Sequence, residues 1–226
     1  MHGNDDGTRL AALERVFPAE RAKAFVDAVV AIALTLLILP LMESASEQGE
    51  GGAGAWFSEH SGQILAFLIS FVMIGFFWIG HHRVFARVVA VSNGLLWLSL
   101  AWLLTLVWMP VATALTGHSG TGDRSFVLVY IAGMAATGLM WLLVRVHLAR
   151  HPALHTIGAA RVREGVAVAL ANLLLFGAAA CLAAFVPGIG YYALLVMWLS
   201  GPARRLVDPW LGRWHPAAGT GAAADG

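Results

Sequence analysis

Residues 21–43 read RAKAFVDAVVAIALTLLILPLME, and this stretch decides how the rest of the chain is read. It opens like a soluble helix, with Arg21, Lys23 and Asp27. It then runs apolar from Ala28 to Met42, interrupted by Thr35 and Pro40. A helix that crosses a bilayer needs about 20 mostly apolar residues. The segment is long enough, yet it carries an aspartate about one turn inside its polar end and a single threonine midway.

The remainder of the chain has the same character. Of 226 residues, 59% are apolar and 12% are charged, against about 25% charged in soluble domains. The expected fold is an all-α membrane protein with six transmembrane helices, at 24–42, 62–81, 94–116, 125–146, 165–186 and 189–203. The last segment is short and ends at Gly201-Pro202, so five spans with a re-entrant or interfacial final segment is the alternative. Thirteen of the fourteen Lys and Arg residues fall in the N-terminal tail, the connections after spans two and four, and the C-terminal tail. Basic residues mark the cytoplasmic side, so both termini are expected to be cytoplasmic. The opposite connections hold Glu43, Glu47, Glu50, Glu59 and Asp123, with Arg124 as their basic residue. A cleaved signal peptide has an apolar core of about 7–15 residues. The longer core and acidic lead of span one therefore argue for a retained helix.

Residues 1–20 form a cytoplasmic tail in this scheme, 21–206 one six-helix membrane domain, and 207–226 a disordered cytoplasmic tail. No extramembrane segment is large enough to bury a core of its own, so function is expected inside the bilayer of the cell membrane. A net charge of +1 gives no footprint for nucleic acid. The lone Cys181 permits no disulfide within the chain. His147, His151 and His155 are spaced by four, but Pro152 interrupts their helix, and a solvated connector explains them better than a metal site.

Polar groups inside a span are costly and face protein or water. At about 100° per residue, Ile32, Leu36 and Leu39 fall within about 60° of one another. Thr35 flanks them, and Asp27 lies about 140° from Ile32. An Asp27 that anchors the helix to its own bundle turns the Ile/Leu ladder towards lipid or a neighbouring subunit. Lys23, one turn earlier, is a simple partner for Asp27. His81, His82 and Arg83 at the same depth are the alternative, in a buried polar network that includes Arg21 and Trp78.

The stretch resembles the signature R-x3-F-S-D-x3-A-I-x2-T-L-L of the transmembrane protein 175 family of potassium channels. The matching residues are Arg21, Phe25, Asp27, Ala31, Ile32, Thr35, Leu36 and Leu37. "SFVMIGFFWIGHHRVF", Ser70 to Phe85, is similar to the family's second span, including Trp78, His81, His82 and Arg83. "NGLLWLSLAWLLTLVWMP" looks like its third. Val26 stands where the family pattern has serine, which removes one hydroxyl from the polar network. The resemblance implies a homotetramer in the bilayer, with first helices around one pore. It implies rings of Ile32, Leu36 and Leu39 as the filter, with Thr35 beside the path.

The function implied is a potassium-permeable channel, with K+ the permeant ion, no cofactor and no enzymatic activity. Apolar rings can close a pore by dewetting and strip water from an ion in the open state, which favours K+ over Na+ modestly. A proton- or cation-coupled transporter is the rival, with a proton leak its softer form. Transporters place ionisable residues near the midplane, and these spans have none there.

Overall fold

The computed structural model describes residues 17–46, 52–118 and 124–185. Among these residues the chain is almost wholly helical. Helix α1 spans Ala19–Leu36 and continues, after a turn, as α2 over Leu39–Ser46. The short α3, Gly52–Glu59, leads into α4, Ser61–Phe85. Then come α5, Asn93–His118, α6, Arg124–Arg150, and α7, Ala159–Phe185. Five segments are long and apolar enough to cross a membrane: α1 with α2, α4, α5, α6 and α7. The sixth expected span, 189–203, lies outside the described residues, as do the tails 1–16 and 207–226.

Several helices overrun their apolar windows. Helix α7, for example, starts at Ala159, six residues before the apolar run, and carries Arg161, Arg163 and Glu164 in its opening turns. Backbone hydrogen bonds continue wherever side chains can reach water, so hydropathy marks the buried length of a helix and not its ends.

The break between α1 and α2 has a local cause. Pro40 has no N–H to offer the Leu36 carbonyl, and its ring crowds that carbonyl. The chain tightens instead, with Ile38 N–H donating to the Thr35 carbonyl at 3.3 Å. Regular helix resumes as Met42 N–H reaches the Ile38 carbonyl at 3.0 Å.

Helix α1 packs against α4 and α5, α6 lies between α5 and α7, and α4 lies beside α5. The core runs through these interfaces, with Trp102, Tyr130, Phe85 and Phe176 its largest enclosed side chains. Van der Waals packing and interhelical hydrogen bonds hold such a bundle, because lipid offers no hydrophobic drive between helices. One buried polar cluster contributes such bonds. The Ser70 hydroxyl of α4 lies 2.7 Å from Thr113 Oγ1 of α5 and 2.9 Å from Tyr130 OH of α6. The Ser70 and Thr113 hydroxyls also lie 2.8 Å from the carbonyls of Ala66 and Met109 in their own helices, so each has one proton to place between a backbone and a side-chain acceptor. A single buried point thus ties three helices together.

The bundle end that carries Arg87 and Arg150 is closed by a small collar. Phe17–Pro18 pairs antiparallel with Ala90–Val91. Val89 N–H donates to the Leu154 carbonyl, and Thr156 N–H to the Arg87 carbonyl, each at 2.9 Å. The N-terminus of α1 and the connections α4–α5 and α6–α7 are therefore joined on one side.

Candidate functional site

Two faces of α1 differ sharply. Val26, Val30, Ala33 and Leu37, spaced by three and four, are buried against α4 and α5. On the other side Ile32 is 59% exposed, Leu36 37% and Leu39 46%, whereas Ala33 between them is 0% exposed. Thr35 is exposed on the same side, and its hydroxyl donates to the Ile32 carbonyl at 2.8 Å. Its proton is therefore used within the helix, and the lone pairs of Oγ1 point outward for other partners. The stripe Ile32–Leu36–Leu39 stays exposed on the side of the helix away from the buried Val26, Val30 and Ala33. Its width matches the apolar seam of a helix that packs on, or lines, something beyond its own bundle. Val26 packs in the core. The residue that departs from the family pattern thus adds apolar contact where the pattern supplies a hydroxyl.

Asp27, on the flank of the buried face, accepts a hydrogen bond from Trp78 Nε1 of α4 at 2.8 Å. Lys23 is taken by Glu20, 2.9 Å away, and does not pair with Asp27. Asp27, His81 and His82 line one cleft of ≈ 210 Å³ with Glu20 and Lys23. The His82 ring tilts against Trp78 at 5.7 Å. His81 is enclosed: its ring stacks on Phe85 at 3.8 Å and on Trp102 at 4.8 Å. Its Nε2 has no partner among the described residues. Arg21 and Arg83 are exposed and make no ion pair among the described residues. The structure thus gathers Asp27, Trp78, His81 and His82, and leaves the two arginines outside that group.

A hydrogen bond to a charged acceptor contributes about 1.5–3 kcal/mol. Trp78→Phe keeps the ring and deletes the N–H, so it is expected to destabilise the subunit by about that amount. In an Asp27→Ala background the same change should cost far less. Unfolding of the four variants in detergent micelles measures the coupling, and independent costs would show that the contact contributes nothing.

At the opposite end a second tie joins α2, the continuation of α1, to α4. The Ser44 hydroxyl of α2 lies 3.0 Å from Oε1 of the buried Gln63 on α4. Trp56 Nε1 donates to the Ser44 carbonyl at 3.2 Å. Sequence inspection pointed to neither Gln63 nor Ser44, and it also passed over Thr113 and Tyr130. A tyrosine inside an apolar run was the available signal, since a buried phenol seeks a partner.

The three spaced histidines each find local partners. His147 Nε2 lies 3.1 Å from Ser92 Oγ. His151 Nδ1 lies 2.8 Å from the His147 carbonyl, and His155 Nε2 3.0 Å from that of Leu148. Their ring nitrogens serve the α6–α7 connection.

Residues 21–110 match the family described as endosomal/lysosomal potassium channel TMEM175. A protein named potassium channel from Streptomyces collinus is 34% identical over 133 residues, which are 55% of this chain and 64% of that protein. The chicken protein named endosomal/lysosomal proton channel TMEM175 is 35% identical over 106 residues, 44% of this chain and 21% of that one. The chain thus spans less than two thirds of the length of these relatives. Among solved structures, the lysosomal potassium-selective channel TMEM175 homolog from Chamaesiphon minutus superposes with a TM-score of 0.63 at 22% identity. That match covers 86% of this chain and 96% of the other, and at such identity it speaks for the fold.

Proposed function

We propose, on the premise that this chain belongs through residues 21–110 to the TMEM175 family, that it forms a potassium-permeable cation channel. Four identical subunits surround one passage, and α1 of each lines it. The chain is a multi-pass protein of the cell membrane. In this proposal a sixth helix at 189–203 completes the subunit, and both termini are cytoplasmic.

The observation that carries the proposal is the two-faced α1. Its buried face is satisfied within the subunit, while Ile32, Leu36 and Leu39 are left exposed inside the segment that matches the family. Four such stripes facing one axis make three stacked apolar rings. Water leaves a narrow apolar constriction readily, which closes it to ions. When the rings part, an ion passes only by shedding some of its hydration shell. Potassium sheds water at lower cost than sodium, so the discrimination is real but modest. Thr35 oxygens, in the turn beside Ile32, offset part of that cost. Asp27, Trp78, His81 and His82 hold the helix in register, and Arg21 and Arg83 extend this polar end towards the cytoplasm.

The chicken relative's name favours a second reading, in which the same passage carries protons along pore water and the Thr35 hydroxyls. One experiment separates the two. The purified chain is reconstituted in lipid vesicles, and potassium efflux is compared with sodium efflux and with proton uptake under an imposed potential. Potassium flux exceeding sodium flux is the expected result. Proton uptake alone supports the second reading, and flux no faster than in empty vesicles rejects both.

A further inference from the structure

We infer that Glu43 sets how readily cations enter the passage from the α2 end. The inference rests on the channel reading above and adds a residue to it. Ile32, Leu36, Leu39 and Glu43 are spaced by four, three and four, so they share one helical face. The turn at Leu37–Ile38 does not scatter that face. Beyond it, Leu41 is buried and Ser44 meets Gln63, which hold one side of α2 against α4. Leu39 and Glu43 remain exposed on the other.

The Glu43 carboxylate has no partner among the described residues. What the residue does supply internally is its backbone carbonyl, which accepts from the Ser46 hydroxyl at 2.7 Å. In the fourfold assembly the stripe therefore ends in a ring of four free carboxylates. The ring lies about 16 Å beyond Ile32 along the axis, at 1.5 Å per residue. Like charges at the mouth of a low-dielectric passage raise the local concentration of counter-ions. Here the counter-ions are the permeant cations themselves.

Screening provides the test. The Debye length is about 30 Å at 0.01 M salt and about 3 Å at 1 M. At low salt the carboxylate field spans the approach to Ile32, and at high salt it does not. Unitary potassium currents of the reconstituted full chain are recorded in symmetrical 10 mM and 1 M KCl, for wild type, Glu43→Gln and Glu43→Lys. At low salt Glu43→Gln should lower conductance about tenfold and Glu43→Lys further, from the low end of such electrostatic effects upward. Current driven from the α2 end should fall more than current in the other direction. At 1 M the three proteins should conduct alike, and the potassium–sodium reversal potential should be the same in all.

Equal conductances at low salt overturn the inference. So does a loss that persists at 1 M, which would be steric. A wild-type protein that passes no potassium overturns the channel reading and takes this inference with it. Indifferent variants in a conducting channel overturn the inference alone.

Discussion

Replacing Ile32 with asparagine is expected to abolish discrimination between potassium and sodium in a channel that still conducts. The isoleucine is the most exposed rung of the ladder, and in the proposed channel four copies would set an apolar constriction. A tenfold preference corresponds to about 1.4 kcal/mol, which is less than the solvation that four amide oxygens can supply. Asparagine oxygens accept sodium as readily as potassium, and they keep the constriction wet. Conductance should persist or rise while the reversal potential under opposed potassium and sodium gradients moves to that of a non-selective pore. Because Ile32 is 59% exposed in its own subunit, the fold should tolerate the change. Leu34→Asn is the control, since Leu34 packs against the core. It should reduce assembly and leave the selectivity of the surviving channels alone. An Ile32→Asn channel with unchanged selectivity would place the ladder against lipid.

Trp102→Ala is expected to be among the most destabilising single changes, costing about 3–5 kcal/mol. The indole is fully enclosed between α4, α5 and α6, with the His81 ring stacked on it at an interplanar angle of 9° and Trp141 at 5.8 Å. Truncation leaves a cavity and strips His81 of one stacking face. Trp102→Phe separates packing from hydrogen bonding. Trp102 Nε1 has no acceptor among the described residues, so deleting it gives up no hydrogen bond. Phenylalanine leaves a smaller cavity than alanine and should therefore cost clearly less than alanine does. Unfolding in micelles gives both values, and a phenylalanine variant as unstable as alanine would mean that the N–H has a partner after all.

These effects differ in how plainly the sequence announces them. The stripe Ile32–Leu36–Leu39 is legible because periodicity along one helix is a local property, and exposure follows it residue by residue. The cluster at the N-terminal end of α1 is legible only in part. Depth placed Asp27 beside His81 and His82, but depth does not say which atoms meet. The contact partner is Trp78, a member of the expected network, whose N–H reaches across 51 residues of chain. Lys23, one turn away on the same helix, finds Glu20 at closer register. The hydroxyl cluster of Ser70, Thr113 and Tyr130 was hidden for a similar reason. Each residue looks incidental within its own span, and only the packing of α4, α5 and α6 brings the oxygens within 3 Å. The collar at Phe17–Pro18 and Ala90–Val91 left no pattern to find, since two-residue strands carry no periodicity.

The two ties between the first span and α4 have a mechanical consequence. Trp78 holds Asp27 near one end, and Gln63 holds Ser44 near the other. At 1.5 Å per residue the attachment points lie about 22 Å apart on α4 and about 25 Å apart along α1 and α2. The first span is thus a beam clamped at both ends to a slightly shorter strut. It has length to spare, and its one weak section is the Thr35–Ile38 turn, where Pro40 withholds a hydrogen bond. Rolling the whole beam would tear both clamps. Bowing at mid-length tears neither, and mid-length is where Ile32, Thr35 and Leu36 sit.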